Sequence, residues 1–327
     1  MSVAKPYESA TSVGDWPLRL RLFVANYGVY IALVALLLAA TVLTPRLYDV
    51  NTIAVVMRQA SQLGIVAIGQ TLILLVAGLD LSVGGIFLMT SIVVADVTNG
   101  RDELVIPAIL IALALGALVG LGNGVLVTKR RVPPFVATLG MLVLVKGATQ
   151  AYTKGVPGGF VPDILGIVNQ SWFVLSIPLL LWLGLNAVFI FVLRRTAYGR
   201  KVYAVGSNIE AARLSGISVD GIRISVYILG SCLAVASGVV LTGYVGYVDR
   251  FIGTGLELDS IAAAIVGGTA FVGGRGGLLG TIAGVLIIQI LSTMAVLMGL
   301  DIEVQFIIKG LVILGAVTLY SLANVEE

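Results

Sequence analysis

An aspartate set between two apolar runs, Asp80 in Gly78-Leu79-Asp80-Leu81-Ser82-Val83-Gly84, is the first residue of this sequence that could do chemistry. In a bilayer a carboxylate at mid-depth costs about 2.5 to 3.5 kcal/mol on insertion scales, so it needs a partner or an interface. Two arrangements meet that need. Asp80 or Ser82 caps the helix that follows, at a membrane interface, or Asp80 pairs with Arg275 in a similar later turn and works as an inner gate. Gln70, Asn123 and Gln289 are the other polar groups set deep in apolar runs. Their amides exchange hydrogen bonds with hydroxyls without burying a charge, which suits the lining of a solute path; hydrogen bonding between helices is the other use. Lys146 and Lys309 also stand inside apolar runs, with stems long enough to snorkel to an interface.

Other chemistries are excluded by what is missing. The chain has no histidine and a single cysteine, Cys232, within an apolar stretch. A disulfide within the chain, a Cys/His metal site and imidazole-assisted serine or cysteine catalysis therefore fall away. No cofactor site is legible, and no basic patch of the kind that binds nucleic acid. A phosphate-binding loop needs a lysine followed by Ser or Thr, and no lysine here is so followed. The chain therefore cannot hydrolyse ATP by that route.

The elements that position these residues follow from composition. Apolar residues make up 58% of 327 positions and charged residues 11%, a balance that no water-exposed surface of this size carries. The solvent is the bilayer, crossed by apolar spans of about 20 residues. The pattern predicts about ten transmembrane helices, at 23–43, 53–77, 82–98, 104–127, 134–152, 172–194, 222–245, 259–272, 277–298 and 304–322. The fold class is an all-α polytopic membrane protein: one transmembrane domain over 23–322, with tails at 1–22 and 323–327. The second span carries Arg58 and the eighth is short, so either could be broken or re-entrant. The first run is longer than a signal-peptide core and is retained as a helix.

The net charge of +3 says little, but its placement says more. With the N-terminus in the cytoplasm, Lys129, Arg130 and Arg131 fall inside, as do Arg194, Arg195, Arg200, Lys201, Arg213 and Arg223, and an even number of crossings returns the C-terminus inside. Forty glycines include two runs at every fourth position, Gly116, Gly120, Gly124 and Gly276, Gly280, Gly284, which bring helix backbones close. Ile68-Gly69-Gln70-Thr71 echoes Val266-Gly267-Gly268-Thr269, each followed by a glycine-marked turn, as in an internal repeat.

Most loops are short, but 195–221 is a long inner segment. In it Ser207-Asn208-Ile209-Glu210 has the spacing of a capping box and Gly216 supplies a left-handed stop. They enclose a helix of about eight residues, roughly 12 Å long, too short to be stable alone in water. Either it lies on the headgroups or a partner docks on it, where Ala211 and Ala212 would allow close approach.

Glu210-Ala211-Ala212-Arg213-Leu214-Ser215-Gly216 resembles the EAA-type loop of ABC importer permeases, and the run from Val202 through Ile217 is similar to the version in the ribose, xylose and galactose class. Gly78 to Gly84 resembles that class's G-(I/L)-D-L-S-V-G signature. Glu257-Leu258-Asp259-Ser260-Ile261-Ala262, with Gly267-Gly268-Thr269 and Gly273-Gly274-Arg275-Gly276, resembles its second. The likeness covers about residues 50–320; the Leu-Pro that ends the motif in other classes is replaced by Ile217-Ser218-Val219-Asp220. The resemblance implies a type II-like permease in the bacterial inner membrane. Its implied partners are cytoplasmic ATP-binding cassette ATPase subunits, a periplasmic solute-binding protein, a second permease chain, identical or related, and membrane lipid. It makes Ser207, Glu210, Ala211, Ala212 and Gly216 the ATPase-coupling residues. The solute would be a monosaccharide or sugar-like molecule, with a nucleoside as an alternative within the family. Outside it, an ion-coupled secondary transporter would need intramembrane acids, and only Asp80, Glu257 and Asp259 qualify, all near span ends.

Overall fold

The computed structural model describes residues 18–324 apart from 156–158, 173 and 250. Most of the 1–22 tail and residues 325–327 lie outside it. In chain order the elements are α1 (Leu18–Leu43), α2 (Val50–Leu75), α3 (Val83–Thr98), α4 (Val105–Thr128), α5 (Pro134–Tyr152), α6 (Asp163–Val168), β1 (Ser171–Trp172), β2 (Leu175–Ser176), α7 (Ile177–Arg195), α8 (Ala197–Ser207), α9 (Ile209–Leu214), α10 (Val219–Val245), α11 (Leu256–Val266), α12 (Leu278–Leu297) and α13 (Ile302–Asn324). Every apolar stretch expected to be helical contains a helix. Among the described residues six are long and apolar enough to cross a membrane: α2, α4, α5, α7, α10 and α12.

Local chemistry sets the boundaries. Pro134, whose missing N–H costs nothing in a first turn, opens α5. Ser176 caps α7 by accepting from Leu179 N at 3.3 Å, so the helix starts at Ile177, and Ser171–Trp172 pairs with Leu175–Ser176 as two short antiparallel strands where helix was expected from 172. The second span is unbroken, since α2 runs through Arg58. The eighth is cut short. Gly267 ends α11 and Gly268 takes a left-handed φ of +85°, leaving 11 residues, about 16 Å, against roughly 30 Å of hydrocarbon. Residues 267–277 then form an irregular turn.

The core is the pair α2 and α10. From Ala60 to Leu75 every residue of α2 is buried. Gly69 faces Gly230 of α10, and Ser237 Oγ donates to Gln62 O at 2.6 Å. Around this pair stand α3, α4, α7, α11 and α12, with α1 packed on α12 through Ala40, Ile290 and Met294. Packing between helices, with no water to expel from lipid, holds such a bundle together.

The first glycine run works as expected: a Cβ on Gly120 would stand 2.6 Å from Tyr227 O, and Gly116 and Gly124 meet Val235 and Ile224 of the same helix. The second run is only partly helical. Gly280 and Gly284 face Ala263 of α11 and Gly267 just past its end, but Gly276 belongs to the turn, at φ +118°. The sequence echo falls on unlike places: Ile68 to Thr71 lies in mid-helix α2, whereas Gly267 to Thr269 has already left α11.

Candidate functional site

The inner segment is two helices, not one. Thr196 opens α8, its Oγ1 accepting from Gly199 N at 3.3 Å. The next cap is Asn208: its Oδ1 accepts from Ala211 N at 3.0 Å and starts α9. Ser207, expected to be that cap, is instead the last residue of α8, and its hydroxyl donates to Tyr203 O at 2.9 Å. Gly216, at φ +77°, ends α9 in a Schellman pair, Gly216 N to Arg213 O and Ile217 N to Ala212 O, both 3.0 Å.

The six-residue α9 has two faces. Glu210, Ala211, Arg213 and Leu214 are exposed, Leu214 at 89%, while Ala212 is 4% exposed and packed into the core. Ala212 therefore anchors α9 to its own bundle and offers no surface to a partner, a correction to its expected role. Glu210 accepts from Arg213 at 3.1 Å on the open face.

Helix α8 is wedged against both inner turns. Gly206 lies so close to Leu75 O that any Cβ would overlap it. Leu75 O also accepts from Gly274 N at 3.0 Å, and Gly274 is packed against Ser207. Tyr203 Oη donates to Gly276 O at 2.9 Å. Burial raises the Tyr203 phenol above its ordinary value, opposed by Arg194, so it stays a donor across the neutral range. The end of α2, the 267–277 turn and α8 thus meet at one joint beside α9.

Asp80 sits in the first of these turns, fully buried. Its Oδ1 accepts from Ser82 N at 2.8 Å, Ser82 Oγ at 2.6 Å and Asn123 Nδ2 at 3.4 Å, while Asn123 also donates to Ser82 Oγ at 2.9 Å. Gln70 Nε2 donates to Asp80 O at 2.6 Å, and Tyr227 Oη to Leu79 O at 3.3 Å. The Asp80–Arg275 pair is not formed: the carboxylate turns into this cluster, and Arg275 is exposed on the later turn. Asp80 organises the turn ahead of α3 through the Ser82 N–H, but neither it nor Ser82 makes the expected cap: Ser82 is the N-cap residue of α3 without a side-chain cap hydrogen bond. Asp80 Oδ2, Gln70 Oε1 and Asn123 Oδ1 have no hydrogen-bond partner among the described residues. Two of the three amides expected along a path are therefore sealed in the wall.

Gln289 differs. Its Nε2 donates to Gln59 Oε1 at 2.6 Å and lies 3.4 Å from Thr293 Oγ1; Gln59 Nε2 donates to Tyr244 Oη at 3.3 Å, and the Arg58 guanidinium lies 5.4 Å from the Tyr244 ring centroid. All five residues are half-buried, at the opposite end of α2 from Asp80. The sequence does not single out Gln59 and Tyr244; Gln59 is marked by its bond with Gln289, 230 residues away, and Tyr244 by its bond with Gln59. Lys309, expected to snorkel, pairs with Asp259 at 2.7 Å, the two side chains 21% and 16% exposed.

A bundle of long apolar helices, with a capped polar helix pair wedged under two interrupted elements, is the architecture of a multi-pass permease. The chain matches the family described as "Branched-chain amino acid transport system / permease component" over residues 52–317. It is 39% identical over 298 residues to the ribose import permease protein RbsC of Escherichia coli (strain K12), 88% of this chain and 91% of that one. It is 37% identical over 294 residues to the autoinducer 2 import system permease protein LsrC of Klebsiella pneumoniae, 89% and 85% of the two chains. To the fructose import permease protein FrcC of Rhizobium meliloti it is 32% identical over 304 residues, 90% and 84% of the two chains. No solved structure matches the chain. The chain therefore belongs to this permease family and is a multi-pass inner-membrane transport component.

Proposed function

We propose that this chain is the membrane-spanning subunit of an ATP-binding cassette importer that carries a monosaccharide or sugar-like solute inward by alternating access. The observation that carries the reading is the joint at α8: a helix with an exposed, capped neighbour is locked by Gly206, Ser207 and Tyr203 to both inner turns. A partner pushing on Glu210, Ala211 and Leu214 of α9 would move α8, and with it the Asp80 turn and the 267–277 turn together. The partners in this reading are two cytoplasmic ATPase subunits on α9, a second permease chain across the path, and a periplasmic solute-binding protein. In this reading the chain crosses the membrane ten times with both termini in the cytoplasm, and α9 faces the ATPase. Asp80 and Arg275 then act as an inner gate through their turns, each turn moved by α8, without a direct ion pair in this state.

The substrate class follows the relatives named for ribose, fructose and autoinducer 2. It is supported by Gln59, Gln289 and Tyr244, uncharged hydrogen-bonding groups that suit hydroxyls, with the Arg58 guanidinium stacked on the Tyr244 ring beside them. The test is transport in vesicles. The chain with its ATPase and binding protein should accumulate labelled sugar only with ATP; accumulation by the purified chain alone would overturn the reading.

A further inference from the structure

Beside α9, between the α4–α5 turn and the start of α10, the structure has a cavity of about 390 Å³ that shares Glu210 with the coupling face but whose arginines the transport reading leaves without a role. Three arginines and two carboxylates line it: Arg131, Arg213, Arg223, Glu210 and Asp220. Both carboxylates are engaged, Glu210 with Arg213 at 3.1 Å and Asp220 with Lys129 at 2.6 Å. Asp220 also feels the charge of Arg223, one helical turn on, but Arg223 has no ion pair among the described residues, and its buried Nε has no hydrogen-bond partner. Arg131 has no ion pair among them either. It holds a left-handed φ of +56°, fixed by Val132 N to Leu126 O at 3.1 Å. Glycine would sit there without strain, and a charged residue kept in such a conformation points to use.

We propose that this groove binds the phosphate of an anionic phospholipid headgroup between Arg131 and Arg223. The walls are the last turn of α4, the first turns of α5 and α10, and α9; the first three are ends of helices that cross the membrane in this reading, so the cavity lies at headgroup depth. Guanidinium forks match phosphate oxygens in pairs, and two of them remain after the internal ion pairs are counted. Val132 and Pro133 give an apolar rim for the glycerol end of the chains. An occupied groove would tie the coupling segment to the α4–α5 turn, so that lipid composition bears on how α9 moves.

The test is native mass spectrometry of the full-length chain, extracted from phosphatidylcholine discs containing about one fifth phosphatidylglycerol of the same chain length. The wild type should retain phosphatidylglycerol over phosphatidylcholine by about tenfold, and R131Q/R223Q should bring that preference to about twofold or less. R200Q/K201Q, which removes two exposed cations of α8 outside the groove, should leave it intact. If the double variant does not fold, Arg131→Gly removes the same guanidinium while relieving its backbone. A preference absent in the wild type, or surviving in the variants, overturns the proposal. Displacement of the lipid by millimolar inorganic phosphate would assign the groove to the free ion. Unchanged lipid retention with lost ATPase binding would assign it to an acidic segment of that subunit. Either result also overturns it.

Discussion

Two polar clusters sit toward opposite ends of α2, built from the same kinds of side chain and put to different uses. Around Asp80 the amides of Gln70 and Asn123 are fully enclosed, and they donate to a backbone carbonyl, a carboxylate and a hydroxyl that fix one turn. Around Gln59 one amide donates to the other, which donates in turn to a phenol, in half-buried surroundings. A bond from an amide to an enclosed backbone carbonyl has no substitute if it breaks, because water cannot reach it. A bond between two half-exposed side chains can be exchanged for a solute hydroxyl at small cost. A glutamine in an apolar span is thus a lock or a ligand according to what faces it.

The comparison is tested most severely at Asp80. Asp80→Ala strips the acceptor from Ser82 N–H, Ser82 Oγ and Asn123, and should cost about 3 kcal/mol, read as a lower unfolding midpoint and poor accumulation in the membrane. Asp80→Asn keeps one acceptor oxygen and adds a donor where Oδ2 lacks a partner, so it should stay within about 1 kcal/mol of wild type. If it also transports at the wild-type rate, the gating role of the carboxylate charge is gone and only the lock remains. Were Asp80→Ala as stable as the parent, the lock itself would fail.

At the Gln59 cluster the expectation is reversed. Gln289→Ala should leave the unfolding midpoint nearly unchanged and raise the KM for solute about tenfold, equivalent to about 1.4 kcal/mol, with ATPase stimulation at saturation preserved. Gln59→Ala should do the same, and the double variant should fall short of the sum, because each glutamine is the other's partner. A large loss of stability with unchanged KM would make this cluster a second lock.

The positions of the helices were legible because lipid-facing and packed segments alike need long apolar runs. The start of α5 was legible as well, since Pro134 admits few alternatives. The cap of α9 was misplaced by one residue. Ser207 and Asn208 are both good caps, and the choice was settled by α8 running through Ser207, in a stretch too polar to register as an element. The inward face of Ala212 was not legible, since six residues give too little periodicity to define a face. The stretch from 172 reads as helix because it is apolar, although Ser171–Trp172 and Leu175–Ser176 pair as short strands. Most of what separates the two clusters lies in pairings between distant residues, Gln59 with Gln289 and Tyr227 with Leu79, which no local pattern carries.

The coupling segment offers a third setting, with smaller effects. Tyr203→Phe removes one hydrogen bond to Gly276 O and should cost about 1 kcal/mol. That cost should be constant between about pH 6 and 9, because a phenol raised above its ordinary value does not ionise there. If α8 carries motion to the second turn, the same variant should keep ATP hydrolysis while lowering the sugar moved per ATP. A purely structural role would lower both together.

The Glu210–Arg213 pair should show the least. Its side chains are mostly exposed, and surface pairs of this kind contribute about 0.5 kcal/mol or less, diminishing with salt. Glu210→Gln and Arg213→Gln, alone and combined, should leave the unfolding midpoint of the isolated chain within error at physiological ionic strength. In the presence of the ATPase, Leu214→Ser should weaken association about tenfold, since an apolar side chain left this open on a capped helix gains its burial only when a partner arrives. The contrast between silent charges and an effective leucine, in one six-residue helix, would fix which of its atoms the partner reads. Equal association of Leu214→Ser and the parent would move the docking surface away from α9.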